Sequence, residues 1–121
     1  MDKWQAQHSF WSSFGVPAFE EHSVPDGTAF PYITYESAMS TFHNIVSITA
    51  SIWTKSTSWE SADTIANSIE QYIKTMGCPE IDGGRYRVYI GMTTFAQKLN
   101  DPNDDQIKRI LLNVNFEFMT S

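Results

Sequence analysis

The sequence has a single cysteine, Cys78, so it can form no internal disulfide. One unpaired thiol fits a reducing compartment, where disulfides are rare, and we expect Cys78 to be a half-buried small residue at a helix end. No stretch approaches the roughly 20 apolar residues of a membrane span. The opening residues, Met1 to Trp4, also lack the apolar segment of a signal peptide. These absences predict a soluble intracellular protein.

Positive charge is also scarce. Eight Lys and Arg residues stand against fourteen Asp and Glu residues, which leaves a formal net charge of −6. Non-specific nucleic-acid binding requires clustered positive charge to displace counterions from the phosphates, and docking on an anionic membrane requires it as well. We therefore expect no direct nucleic-acid recognition and no membrane partner.

Motifs of catalysis are missing as well. Gly83-Gly84 has neither the spacing of a phosphate-binding loop nor that of a dinucleotide-binding turn, and no Gly-x-Ser-x-Gly elbow is present. Adjacent carboxylates such as Glu20-Glu21 give no sign of a shared buried pocket that would separate their pKa values. The histidines are too widely spaced to indicate a zinc site: His8, His22 and His43. The sequence predicts no enzyme, no metal site and no cofactor.

The acidic segment 101–105 resembles the start of a calcium-binding EF-hand loop. Asp101, Asn103 and Asp105 occupy alternate positions, as the first ligands of such a loop do. However, Gln106 stands at the required glycine and Leu112 at the bidentate glutamate, so the EF-hand is rejected. Two interpretations stay open: a solvated acidic turn, or a charged loop that contacts a basic partner.

The sequence is rich in aromatic residues, which make up 14% of its 121 residues. This length is typical of one domain, so we assign residues 1–121 to a single domain. Tryptophan, phenylalanine and tyrosine bury large areas in cores and are enriched at protein interfaces. A folded domain that binds other proteins is the function class that this composition favours.

Helical periodicity is present in two segments. Residues 2–14 repeat aromatic side chains at three- and four-residue spacing, and Gly15 with Pro17 is a typical helix stop. Residues 58–76 show a wide apolar stripe that could cover a sheet. A hydroxyl at Thr57, followed three residues later by Glu60, has the form of a capping box.

Period-two alternation predicts four strands, at 32–35, 44–55, 85–92 and 107–119. Residues 17–31 and 95–105 are predicted to be loops. The order α-β-β-α-β-β predicts an α+β fold with one mainly antiparallel sheet of about four strands and the long helix across one face. Trp53 lies on the mostly polar face of its strand, and packing under the following helix is favoured over exposure at an interface. The last strand, if it lay at a sheet edge, would be available for pairing with another chain.

Several stretches resemble small structural proteins of tailed bacteriophages and prophages, and among these the tail terminator class. These stretches are residues 4–18, 24–27, 31–35, 52–59, 94–98, 104–110 and 116–118. Members of that class form a hexameric ring that caps the tail tube and joins it to the head. The resemblance therefore implies a virion assembly protein in the tail or neck, assembled in the bacterial cytoplasm. Its implied partners are copies of itself, the tail tube and head-completion proteins.

Ring closure requires a heterologous contact, in which one patch of a subunit contacts a different patch of its neighbour. We expect segment 95–105 to contribute to such contacts or to contacts with the tail tube, although an ordinary solvated loop is an equal alternative. The candidate interface residues are Phe95, Gln97, Lys98, Asp101, Asp104 and Asp105.

Other functions stay open on the sequence alone. One is a head–tail connector or completion protein. A second is a monomeric protein-binding module that uses its acidic surface against a basic partner. A third is a small enzyme whose site no motif reveals.

Overall fold

The computed structural model describes residues 3–36, 45–76, 80–81, 84–90 and 94–118. Cys78 and His43 lie outside these ranges. The described residues contain two helices, α1 (Lys3–Ser12) and α2 (Glu60–Met76). The strands are β1 (Ala18–Glu20), β2 (Tyr32–Tyr35), β3 (Ile45–Lys55), β4 (Glu80–Ile81), β5 (Gly84–Tyr89), β6 (Ala96–Asn100) and β7 (Ile107–Phe118).

The strands form one seven-stranded sheet in the order β1-β2-β3-β7-β5-β4, with β6 also paired to β7. The α+β class is as predicted, but the sheet is mixed because β1 runs parallel to β2, and it has more strands than expected. The three unpredicted strands are short or lack clean alternation: β1 lies inside the predicted loop 17–31, β4 has two residues, and β6 lies inside the predicted loop 95–105. These strands form because their backbones pair with neighbouring strands, and such pairing leaves no periodic pattern in the local sequence.

Strand β7 lies in the middle of the sheet. Along one side it pairs with β3, from Ile107 opposite Lys55 to Glu117 opposite Ile45. Along its other side it pairs with β6 and then with β5. The suggestion that the last strand is an exposed edge is therefore wrong, because β5 and β6 pair with the second side of β7.

Both helices pack on one face of the sheet. In β3 and β7 the even-numbered residues of 48–54 and 110–116 point to this face and are buried, for example Ile52 opposite Ile110 and Ala50 opposite Leu112. Ala62, Ala66, Ile69 and Ile73 of α2 cover them, as the predicted stripe requires. From α1, Phe10 meets Phe116 edge to face with ring centroids 5.4 Å apart.

The ends of the helices follow local signals, with one shift of position. Gly15 has φ = +82°, the left-handed conformation predicted after α1. At the start of α2 the Ser58 hydroxyl accepts a hydrogen bond from the Glu60 amide at 3.3 Å, in place of the expected Thr57 cap. Pro25 and Gly27 lie in a turn inside the predicted loop 17–31, in which the Thr28 amide donates to the Pro25 carbonyl. In the described ranges, no helix has the length and apolarity that a membrane crossing requires.

Candidate functional site

The second face of the sheet carries odd-numbered side chains of β3 and β7. No helix of the described chain packs on it, and we call it the helix-free face. Trp53 lies here, directly opposite Arg109 in the β3–β7 pairing. The expectation that Trp53 packs under the following helix is therefore wrong. Residues alternate across a pleated strand, and the neighbouring Ile52 and Thr54 point to the helices, so position 53 must point away from them.

Aromatic rings follow one another across the helix-free face. Tyr32 stacks on Trp53 with an angle of 20° between the rings, and their centroids are 6.3 Å apart. Phe30 and Phe19 lie on the other side of Tyr32, at 5.4 and 6.2 Å. All four side chains are half-buried. We call Phe19, Phe30, Tyr32 and Trp53 the aromatic row.

Two polar contacts hold the Trp53 ring in place, one at the edge of the ring and one over its face. Its indole N–H donates to the Thr34 hydroxyl at 2.9 Å. The guanidinium of Arg109 lies over the ring, 4.8 Å from the centroid, and its Nε donates to the Ser51 hydroxyl at 3.0 Å. A cation over an indole ring gains about 0.5–2 kcal/mol, depending on solvent exposure. Arg109 is thus fixed in one orientation on a half-buried surface.

Arg109 differs from the other cationic side chains that the structure describes. Lys55, Lys74 and Lys98 each contact a carboxylate, on Asp104, Glu70 and Asp63 respectively. Lys108 lies over Trp59 and contacts the Asp105 carbonyl. Among the described residues, no carboxylate lies within ion-pair distance of Arg109.

A groove of about 230 Å³ opens beside Arg109 at the end of the aromatic row. Trp53 and Arg109 form one wall, and the end of β6 with the following turn forms the other. Its lining combines an indole, apolar Leu99 and Pro102 and a guanidinium. This combination suits a protein segment that carries an apolar side chain and a carboxylate. The complete lining is Trp53, Leu99, Asn100, Asp101, Pro102 and Arg109.

The predicted interface residues on β6 are divided between the two faces of the sheet. Gln97 lies opposite Leu111 on the helix-free face and is exposed. Lys98 lies opposite Ile110 on the helix side, where its ammonium group is 3.3 Å from the Asp63 carboxylate and 5.2 Å from the centre of the Trp59 ring. Lys98 thus ties β6 to the start of α2.

The acidic side chains of the predicted interface mostly shape their own turn. Asp101 accepts hydrogen bonds from the Asn103 and Asp104 amides at 2.7 and 3.2 Å. Asp104 accepts one from the Gln106 amide at 2.9 Å and contacts the Lys55 ammonium at 3.5 Å. Asp105 is exposed. Of these three, Asp101 lines the groove.

Phe95 is half-buried and packs against the core, and its carbonyl accepts a hydrogen bond from the Asn113 amide at 2.8 Å. The six predicted residues therefore do not form one continuous surface, and their interface role stays a prediction. Sequence reasoning missed the aromatic row and Arg109. The available signal was Trp53 on an otherwise polar strand face.

Glu20, Glu21 and His22 form a cluster at the end of β1, with potential metal-binding atoms within 4.8 Å of one another. His22 Nδ1 lies 2.7 Å from a Glu20 carboxylate oxygen, and Glu20 also accepts the His22 amide at 2.8 Å. The hydrogen bond and charge of Glu20, assisted by Glu21, raise the pKa of His22 above 6.5. Glu21 and His22 are exposed, and the contacts among the three residues explain their geometry, so we interpret the cluster as an acidic turn.

No protein-family model matches the chain, and no curated protein sequence is significantly similar to it. Among solved structures, the fold is similar to the "Structure of bacteriophage SPP1 gp17 protein", with a TM-score of 0.51. The similarity covers 93% of this chain and 86% of that chain, at 17% sequence identity. The chain shares its fold with a bacteriophage protein. At this identity the comparison supports the fold, and the role in a virion is a matter for proposal.

Proposed function

We propose that the chain is a subunit of a ring that caps a bacteriophage tail tube and joins it to the head. The observation that carries the proposal is the fold shared with the bacteriophage SPP1 gp17 protein over 93% of the chain. The resemblance of the sequence to the tail terminator class points to the same kind of protein. The proposed role is structural, with no cofactor and no catalysis.

The proposed partners are copies of the chain itself, six to a ring, together with the tail tube and the head-completion proteins. The location is the neck of the virion, after assembly in the bacterial cytoplasm. A ring subunit needs two different contact surfaces, since a heterologous contact joins unlike patches. The helix-free face offers a half-buried aromatic row and a groove that contains the Arg109 guanidinium, and aromatic residues and arginine are enriched at protein interfaces.

Native mass spectrometry of the purified full chain tests the ring directly. We expect a discrete species of six times the 13.8 kDa chain mass, without a ladder of larger oligomers. Closure predicts this, because an open heterologous assembly would continue to grow into filaments. A strict monomer over the whole concentration range would contradict the ring.

A second measurement separates the tail terminator from a head–tail completion protein. Purified tails and purified heads that lack the protein are incubated separately with it and re-isolated. Binding to the end of the tail tube is the result expected for a terminator. Binding to heads alone would favour the completion protein, and binding to neither would contradict both roles.

A further inference from the structure

The proposed ring requires a contact between unlike patches, and opposite charges lie near the two ends of the aromatic row, Arg109 beside Trp53 and Glu21 two residues after Phe19. At one end, the groove beside β6 presents the Arg109 guanidinium together with Trp53 and with Asp101, whose carboxylate accepts hydrogen bonds from the backbone amides of its own turn. At the other end, edge strand β1 runs into the acidic turn at Glu21. Strand β2 lies between β1 and β3, which carries Trp53 of the groove, and among the described residues of one subunit no ion pair joins Glu21 to Arg109.

The backbone at Glu21 is fixed, although its carboxylate is accessible. The Glu21 amide donates to the Tyr35 carbonyl at 2.9 Å, which continues the ladder between β1 and β2 by one residue. The carboxylate is 44% exposed, and the His22 ring 3.9 Å away is the nearest cation recorded for it in the described chain. Glu20 differs, because its two oxygens accept hydrogen bonds from the His22 ring and amide.

Phe19 adds an apolar group to the same patch. Phe19 lies on β1, and Glu21 follows the strand two residues later, in a turn in which the Ser23 amide donates to the Glu20 carbonyl at 2.9 Å. Phe19 is half-buried and belongs to the aromatic row on the helix-free face. The edge therefore offers an aromatic ring on β1 and an exposed carboxylate in the turn that follows, and the groove offers apolar walls and a guanidinium.

We propose that the groove at Arg109 of one subunit receives the Phe19–Glu21 edge of a second copy of this chain, with Glu21 paired to Arg109. This inference rests on the proposed ring. The contact is heterologous, because the groove and the acidic edge are different patches at opposite ends of the aromatic row, and it generates the proposed ring when the rotation that repeats it closes. In a chain with a net charge of −6, self-association needs such a local cation to overcome like-charge repulsion.

Two charge-reversal variants, Arg109→Glu and Glu21→Arg, test the pairing through native mass spectrometry. Each variant alone places two like charges in every contact, so we expect the sixfold species to be lost or its dissociation concentration to rise by about tenfold or more. An equimolar mixture restores opposite charges in every contact when the two variants alternate. We therefore expect the mixture to form sixfold rings with three copies of each chain.

The matched controls are Lys74→Glu and Glu70→Arg. They make the same changes of charge at an exposed ion pair on α2, where the ammonium and carboxylate are 3.4 Å apart. Neither control should affect the ring. Recovery in the mixture also shows that both groove and edge variants are folded, so a folding defect cannot imitate a positive result.

The outcomes distinguish this inference from the proposed function. If the wild-type chain forms a ring and Glu21→Arg leaves it intact, the pairing is wrong and the ring stands; the groove then belongs to a different partner. If the single variants lose the ring and the mixture does not recover it, direct pairing is likewise wrong. If the wild-type chain forms no ring, the proposed function fails, and this contact fails with it.

Discussion

The His22 side chain is 80% exposed, and its neighbours determine its charge. Its pKa is raised first by the hydrogen bond to Glu20, then by the charge of Glu20 and, less strongly, of Glu21. A raised pKa in the folded state means that the protonated form stabilises the fold. That contribution is fully present below the unfolded value of about 6.5 and is lost as the pH rises through the folded pKa.

Glu20→Gln should therefore lower the pKa of His22, and Glu21→Gln should lower it less. NMR titration of the imidazole protons measures both. The Gln variants keep the size of the side chain, so a difference between them reports the hydrogen bond at Nδ1. A larger decrease with Glu21→Gln would contradict the geometry described for this turn.

Trp53 depends on a single acceptor for its indole N–H, the hydroxyl of Thr34. We expect Trp53→Phe to reduce the free energy of unfolding by about 1 kcal/mol, the typical net value of a hydrogen bond plus a small loss of packing. Thr34→Val removes the same bond from the other side. In a double-mutant cycle measured by urea denaturation, the two changes should show a coupling of about 0.5–1.5 kcal/mol. Strict additivity would show that the bond contributes nothing.

At the scale of the elements, the start of α2 gives different roles to Ser58 and Thr57, two residues with similar side chains. Ser58 accepts a hydrogen bond from the Glu60 amide, which would otherwise lack a partner within the helix. Ser58→Ala should therefore destabilise the protein by about 0.5–1 kcal/mol. Thr57→Ala is the matched control and should have little effect, because Thr57 is exposed one residue earlier. Equal losses of stability from the two variants, measured by thermal or urea denaturation, would contradict Ser58 as the cap and favour Thr57.

Strand β7 should be the slowest element to exchange its amide hydrogens. Between Lys108 and Leu112, its backbone lies between β3 on one side and β6 on the other. In the described part of the sheet, β6 pairs with β7 alone, so its amides should alternate between slow and fast exchange. Hydrogen-exchange NMR on the dissociated chain measures both patterns. Alternating rates within 108–112 would instead indicate that β7 is an edge strand.

At the scale of the whole molecule, ring formation should couple to thermal stability. A subunit contact that exists only in the folded state stabilises that state by mass action, so the midpoint of thermal unfolding should rise with protein concentration. For Arg109→Glu the midpoint should be independent of concentration. Differential scanning fluorimetry over a roughly hundredfold dilution series measures these midpoints. A wild-type midpoint that does not change would contradict self-association in that range.

Much of the fold could be predicted because its longest elements carry a local period. The stripe through Ala62, Ala66 and Ile69 predicts a helix that covers a sheet, and α2 does so. The alternation in 44–55 and 107–119 predicts strands with one buried face, and β3 and β7 are such strands. The hydrophobic effect imposes these periods on the sequence itself, since one face of each element must be buried.

The candidate site could be predicted only in part. Asp101 was identified and lines the groove, and Gln97 lies exposed on the helix-free face, whereas Lys98 lies on the helix side. The loop interpretation of 95–105 concealed β6, since its residues do not alternate between apolar and polar. Arg109 was overlooked because a single arginine in an alternating strand looks like an ordinary solvated charge.

The sequence by itself determined the α+β class, the long elements and the acidic balance of charge, all of which depend on residues near one another in the chain or on simple sums. The tertiary structure alone decided that β7 is central, that Trp53 faces away from the helices, and that Arg109 and the Glu21 turn lie near opposite ends of the aromatic row. The physical reason is that strand pairing joins residues far apart in the chain. Which strands pair, and therefore which side chains share a surface, is decided by the packing of the whole domain.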